Sequence, residues 1–257
     1  MEYEAGLLIN QTKNTVVCAV NPHKRIYPAS MTKILTALVV MEAVEKGQIS
    51  LTDTVVIQKK IEFNEDNVTV LGLEPGDYIT VDELLHGLLI SSYNDCAVAL
   101  ARYVSGSVSA FVELMNQKAA ELGATNSHFV NPHGLTDDNH YTTVYDMYLI
   151  MNEAIKFEVF REIIHMDSYT TVYHDKNGAE KEITVNSTNY YFIGKADPPS
   201  GITILGGKTG TTDAAGHCLV LLSRDTQNKP YISVIMRSDA RENLYISMSE
   251  LLAQIGN

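Results

Sequence analysis

The sequence predicts an α+β fold: an antiparallel sheet built from N- and C-terminal strands, with flanking helices and an inserted all-helical lobe. Three observations predict it. Strand-like runs lie at both ends of the chain, the middle carries helical periodicity, and a helix apolar on nearly every face follows the first strands. At 257 residues the chain is within reach of one hydrophobic core, so residues 1–257 are expected to form a single domain. The sheet part takes about residues 1–29 and 168–257, and the lobe about residues 30–167.

Ala5–Asn10 and Thr15–Val20 read as short strands joined by the polar turn Gln11-Thr12-Lys13-Asn14. From Ser30 to Lys46 the pattern becomes helical, closed by Gly47 in C-cap position. Its apolar residues, from Met31 and Ile34 to Ala43 and Val44, leave no polar face, which places the helix inside the domain. Thr80-Val81-Asp82-Glu83 is a capping box opening a helix to about Ile90. Asp95–Val104, Ser109–Leu122 and Thr143–Phe157 read as further helices. Between Gly123 and Thr143 runs a long polar loop, a length that points to function or to a compact wrap. Tyr169–His174 and Lys181–Val185 flank an Asn-Gly turn. Ile202–Thr209, His217–Arg224 and Tyr231–Arg237 are the last strands, and Glu242–Ile255 closes the chain as a helix. A cleft between sheet and lobe is the expected place for a site.

Composition narrows the function. Lys plus Arg number 19 against 31 Asp plus Glu, a net charge of −12 with no basic stripe, which argues against nucleic acid as a partner. The longest stretch free of formal charge, Leu122 to Thr136, contains Asn, Ser, His and Pro, so no segment reads as a membrane span. Cys18, Cys96 and Cys218 are scattered in apolar stretches without a CxxC and read as small buried hydrophobes.

Three short motifs carry chemistry. Ser30-Met31-Thr32-Lys33 sets a hydroxyl and an amine one helical turn apart. A serine at a helix start is commonly only a cap, but Lys33 is the sole charge between Arg25 and Glu42 on a helix that reads as buried. Burial lowers the pKa of a lysine and equips it as a neutral base. Ser92-Tyr93-Asn94 lies between two helices, where Asn94 reads either as the cap of the next helix or as an amide presented to the cleft. Lys208-Thr209-Gly210 ends a strand after Gly206-Gly207; the stretch from Gly201 misses P-loop spacing by one residue and its ITIL is strand-like, which excludes a nucleotide site. A glycine-flanked strand bearing Lys and Thr suits carboxylate capture and edge pairing.

SxxK, SxN and KTG in this order form the set found in β-lactamases and penicillin-binding proteins. With YPASMTKILTAL, LLISSYNDCAVALA, NPHGLTDDNHYTT and GGKTGTTDAAGHCLV, the chain resembles, over essentially its whole length, the low-molecular-mass penicillin-binding proteins. These are serine-type D-alanyl-D-alanine carboxypeptidases of peptidase family S11, with a β-lactamase/transpeptidase-like fold.

The resemblance implies that Ser30 is the nucleophile, Lys33 the base that takes its proton, and Ser92 a proton relay toward the leaving amine. Asn94 is implied to hold the substrate amide, Lys208 and Thr209 the terminal carboxylate, and the N–H groups of Ser30 and Thr211, beside Gly210, the oxyanion. Arg237 is a further candidate anchor for the carboxylate. The implied partners are the peptidoglycan stem peptide ending in D-Ala-D-Ala and, as covalent inhibitors, β-lactams. No cofactor or metal is expected, and any membrane contact would come from segments absent from this chain.

Rival readings are a class A-like serine β-lactamase and a non-catalytic peptidoglycan-binding protein. The former carries an ExxxN segment in the lobe; the only match between Asn94 and Lys208 is Glu182–Asn186, in the hairpin. A metal-hydrolase reading of His133, Asp137, Asp138 and His140 lacks helical ligand spacing. The chain begins MEYEA with no export signal, yet the implied substrate lies outside the cytoplasmic membrane; an exported protein with a trimmed start is therefore expected.

Overall fold

The computed structural model of the chain describes residues 2–65 and 67–255. The chain opens with β1 (Tyr3–Asn10) and β2 (Thr15–Val20), passes through a 3-10 turn (Ala29–Met31) and enters α1 (Thr32–Glu45). Then come β3 (Thr54–Val56), β4 (Tyr78–Thr80), α2 (Val81–Leu89), α3 (Asn94–Ser105), α4 (Val108–Glu121), α5 (Val144–Ala154) and α6 (Glu158–His165). The remainder is β5 (Ser168–His174), β6 (Glu180–Asn186), β7 (Thr203–Thr212), β8 (Gly216–Arg224), β9 (Pro230–Ser238) and α7 (Arg241–Leu252).

The two ends of the chain share a five-stranded antiparallel sheet in the order β2-β1-β9-β8-β7, with Leu7 opposite Val234 and Lys208 opposite Val220. Its central strands are buried on both faces because side chains alternate along a strand. Val220, Leu222, Val234 and Met236 share the main core with α1, whereas Leu219, Leu221 and Ile235 meet Leu244, Met248 and Leu251 of α7. β7 is an edge strand, so its outer side is free to face the lobe. That is the predicted α+β architecture.

Helix α1 is the axis of the lobe. Every residue from Thr32 to Met41 is buried, and each fully buried Leu or Ile there contributes about 1.5–3 kcal/mol. It begins two residues later than its periodicity implies. Ala29, after Pro28, takes a left-handed φ of +47°, and Ser30 sits in the 3-10 turn without capping the helix. The capping box is as read: Thr80 Oγ1 accepts the Glu83 N–H at 3.2 Å, and Glu83 Oε2 accepts the Thr80 N–H at 2.8 Å.

Four expectations are corrected. The lobe is not all-helical: β3 and β4, three residues each, are too short to show a period of two. The 168–186 hairpin does not join the terminal sheet but pairs with them in a second sheet, β3-β4-β5-β6. Its inward residues Tyr173 and Val185 enter the lobe core, and Lys181 reaches buried Asp77 at 3.1 Å. The helix read as Thr143–Phe157 ends at Ala154, and the unforeseen α6 lays Ile164 against Gly206 of β7. Of the cysteines, Cys96 and Cys218 are buried, but Cys18 on the outer strand β2 is half-exposed.

The polar 123–143 loop is an ordered wrap. Bridges from Ile26 to Thr142 and from His128 to Tyr141 hold its ends, and Asn131 Oδ1 accepts the Gly134 N–H at 2.7 Å. His140 Nδ1 accepts the Val130 N–H at 3.1 Å, so the ring proton lies on Nε2 and is donated to Thr32 Oγ1 at 2.8 Å. Gly134, at φ +91°, passes so close to the turn before α1 that a Cβ would stand 1.9 Å from the Ala29 carbonyl oxygen.

Gly134→Ala is expected to cost about 2–4 kcal/mol through clash and backbone strain, lowering Tm by roughly 5–10 °C. An unchanged melt contradicts this packing. Burial also lowers the His140 pKa from 6.5 to about 4, outweighing the opposite pull of Asp137. The unfolded chain then binds this proton more tightly, so the contribution is fully present above pH 6.5 and is lost as pH falls toward 4, by up to on the order of 3 kcal/mol. Between pH 7 and 4.5 the urea midpoint of the native protein should fall further than that of His140→Gln; equal falls contradict the assignment.

Candidate active site

The 3-10 turn, the α2–α3 junction and β7 meet around Lys33. Ser30 is presented by the strained turn. A Cβ on Gly210 would stand 2.8 Å from the Pro28 carbonyl oxygen and 3.1 Å from the Ser30 nitrogen. Only glycine lets β7 run this close, and it sets the Ser30 N–H beside the strand one residue from Thr211.

Lys33 is wholly buried, and its Nζ has three neighbours: Ser30 Oγ at 2.8 Å, Asn94 Oδ1 at 2.8 Å and the His133 carbonyl oxygen at 2.7 Å. Burial, then the nearby charge of Lys208, push the Lys33 pKa well below 10.5; Cys96 and Asp95 oppose this more weakly. A neutral amine has two N–H donors and one lone pair. The Asn94 and His133 oxygens only accept, so they take both donors. The lone pair is left for Ser30, whose hydroxyl donates to Nζ. The contacts thus build a serine with its proton already directed at a base.

Asn94 resolves the two readings made of it. It is the first residue of α3, and its side chain does not cap the helix. Its Nδ2 donates to the Thr69 carbonyl at 3.0 Å while Oδ1 faces Lys33. Ser92 is buried at a φ of +66°, and its Oγ has no hydrogen-bond partner among the described residues. Its neighbour Ser91 is latched to β6, donating to the Asn186 carbonyl at 3.0 Å and accepting the Asn186 N–H at 2.9 Å.

Lys208 lies on the inward face of β7, 2% exposed, and donates to the Thr209 carbonyl at 3.1 Å. Burial lowers its pKa to about 7. Thr209 points the other way, 2.5 Å from Thr188 Oγ1, and Thr211 Oγ1 is 3.2 Å from His217 Nδ1.

The structure therefore brings Ser30, Lys33 and Asn94 into direct contact, with β7 carrying Lys208, Thr209, Gly210 and Thr211 alongside. Arg237 is not among these contacts. It occupies a strained position (φ +59°) near the end of β9, and its exposed side chain pairs with Glu4 at 3.1 Å. Four contributors escaped the sequence reading: the His133 carbonyl, Ser91, Thr188 and Asp95. For Asp95 a signal existed, since it is the only formal charge between Glu83 and Arg102. The other three are visible only in three dimensions.

The D-alanyl-D-alanine carboxypeptidase family model (peptidase S11) matches residues 1–240. A D-alanyl-D-alanine carboxypeptidase of Bacillus subtilis, DacF, is 36% identical over 247 residues, covering 94% of this chain and 59% of its own. DacC of Escherichia coli is 34% identical, covering 86% and 53%. The chain thus spans between half and three fifths of the length of these relatives. Among solved structures, the Streptomyces K15 DD-transpeptidase superimposes with a TM-score of 0.88 at 27% identity, over 99% of this chain and 97% of that one. Penicillin binding protein 5 of Haemophilus influenzae does so with 0.87 at 31% identity, over 100% and 71%. On this evidence the chain belongs to the D-alanyl-D-alanine carboxypeptidase family.

Proposed function

We propose that this chain is the catalytic unit of a serine-type D-alanyl-D-alanine carboxypeptidase, which removes the terminal D-Ala from peptidoglycan stem pentapeptides and is acylated by β-lactams at Ser30. The observation that carries the reading is the hydrogen-bond arithmetic at Lys33, which leaves its lone pair for the Ser30 proton. Ser30 Oγ attacks the carbonyl carbon of the penultimate D-Ala as its proton passes to Lys33 Nζ. The N–H groups of Ser30 and Thr211 stabilise the oxyanion. The C–N bond then breaks, and the proton reaches the leaving amine from Lys33 by way of Ser92. Water attacks the ester, gives its proton back through Lys33 to Ser30, and releases the shortened peptide.

Asn94 holds the substrate amide, and Lys208 with Thr209 binds the terminal carboxylate at the edge of β7. For Arg237 to take part it would have to leave Glu4. The carboxylate of Glu182, the sole candidate for lactamase-type water activation, is exposed on β6; this supports slow loss of the penicilloyl group rather than rapid turnover. A substrate of this kind places the enzyme outside the cytoplasmic membrane, in the cell wall or periplasmic space. Among the described residues no single helix is long and apolar enough to cross a membrane.

Incubation with a fluorescent penicillin should give one adduct per chain, mapped to Ser30 by peptide mass spectrometry, and none in Ser30→Ala. Stoichiometric labelling of that variant refutes the assignment. Lys33→Ala should acylate about 10²–10⁴-fold more slowly, the range for loss of a general base. The acylation rate should be high at neutral pH and fall as pH rises above about 7, where Lys208 loses the proton that attracts the ligand carboxylate. A rate that keeps climbing toward pH 10 contradicts a neutral Lys33.

A further inference from the structure

The α3 residue beside Asn94 has a role that the reaction above does not use. Asp95 is 2% exposed, in an otherwise apolar stretch. Its Oδ1 accepts the Leu71 N–H at 2.9 Å and the Cys96 N–H at 3.1 Å, and its Oδ2 accepts those of Gly72 at 2.8 Å and Leu73 at 3.0 Å. Three successive N–H groups converging on one anion form a nest, and Gly72, at φ +92°, supplies the left-handed residue such a bend requires. The nest fixes the strand of chain in which Thr69 lies. The Thr69 carbonyl in turn accepts both the backbone N–H of Asn94, at 2.9 Å, and its Nδ2, at 3.0 Å.

We infer that Asp95 is a positioning residue, which folds the 69–73 segment around its carboxylate so that Thr69 holds the Asn94 amide with Oδ1 turned to Lys33. An asparagine amide has two nearly isosteric orientations, and only one of them offers oxygen to the Lys33 amine. The Thr69 carbonyl, an acceptor alone, selects that orientation by demanding the NH₂ group. Asp95 also acts on Lys33 through space. The groups facing Lys33 are Lys208 from β7, Asp95 and Cys96 from α3, and His133 and His140 from the 123–143 loop. Asp95 is the carboxylate among them and favours the protonated amine.

The inference rests on the acyl-enzyme reading, and one set of measurements separates the two. In Asp95→Asn an NH₂ group meets N–H donors it cannot accept from. Its second-order rate of acylation by a fluorescent penicillin is expected to fall about 10–100-fold, as for a misaligned site. The acid limb of its pH profile should move to lower pH, because Lys33 has lost a neighbouring anion. Asp95→Glu keeps the charge but displaces it, so it should lose rate with the acid limb unmoved. On an Asn94→Ala background either change should add little to the loss of rate at the optimum pH, since positioning runs through Asn94, whereas the through-space shift of the acid limb in Asp95→Asn should persist.

If circular dichroism shows Asp95→Asn unfolded, Asp95→Glu and its double variant carry the test. A folded Asp95→Asn with native rate and profile overturns the inference, as do losses of the optimum rate that simply add to that of Asn94→Ala. Failure of the native protein to label at Ser30 overturns the underlying reading instead, and with it the role given to Asp95.

Discussion

A lysine enclosed on an apolar helix governs much of this molecule. Taking an ammonium ion out of water costs several kcal/mol even after relaxation, so the fold favours the neutral amine at Lys33. Lys208, buried on the opposing strand, acts in the same direction. Once Lys33 is neutral, its two acceptor neighbours fix where the lone pair points, and Ser30 lies there. The same burial that makes the amine a base also aims it. In the proposed mechanism, stability and reactivity are therefore coupled through one side chain.

Holding that arrangement requires the backbone to depart from easy conformations. Apart from asparagines, the described non-glycine residues with positive φ are Ala29, Ser92 and Arg237. Two of these sit at the turns that present Ser30 and the SxN motif, and such positions cost about 1–3 kcal/mol each. Surrounding contacts hold them in place. Gly134 and Gly210 admit backbone against the Ser30 turn from two sides, and Ser91 ties its turn to Asn186. Two residues further along, Thr188 meets Thr209. A short run of chain, 186–188, thus links the lobe motif to β7.

Much of this was legible in the sequence, for physical reasons that differ from residue to residue. Lys33 was readable because a lone charge in an all-apolar helix has few explanations. The terminal strands and the capping box at Thr80 follow from local periodicity and local hydrogen bonds. The second sheet was not readable: β3 and β4 are too short for a pattern, and the partner of a hairpin is a long-range property. Ser30 showed the right spacing but not its turn, because nothing local announces a left-handed alanine. The His133 carbonyl and Thr188 are invisible for a similar reason. One acts through backbone, and the other through a threonine that any loop might contain. The Arg237–Glu4 pair was not readable either, because it depends on β1 from the start of the chain lying beside β9.

The proposed mechanism turns on the protonation state of one amine. The most direct measurement is nitrogen-15 NMR of lysine-labelled protein, with Lys33 assigned by its loss in Lys33→Ala and followed from pH 5 to 11. Lys33 should show a neutral-amine shift at pH 7.5, with its titration well below 10.5. An ammonium signal that persists at neutral pH and titrates near 10.5 would contradict it.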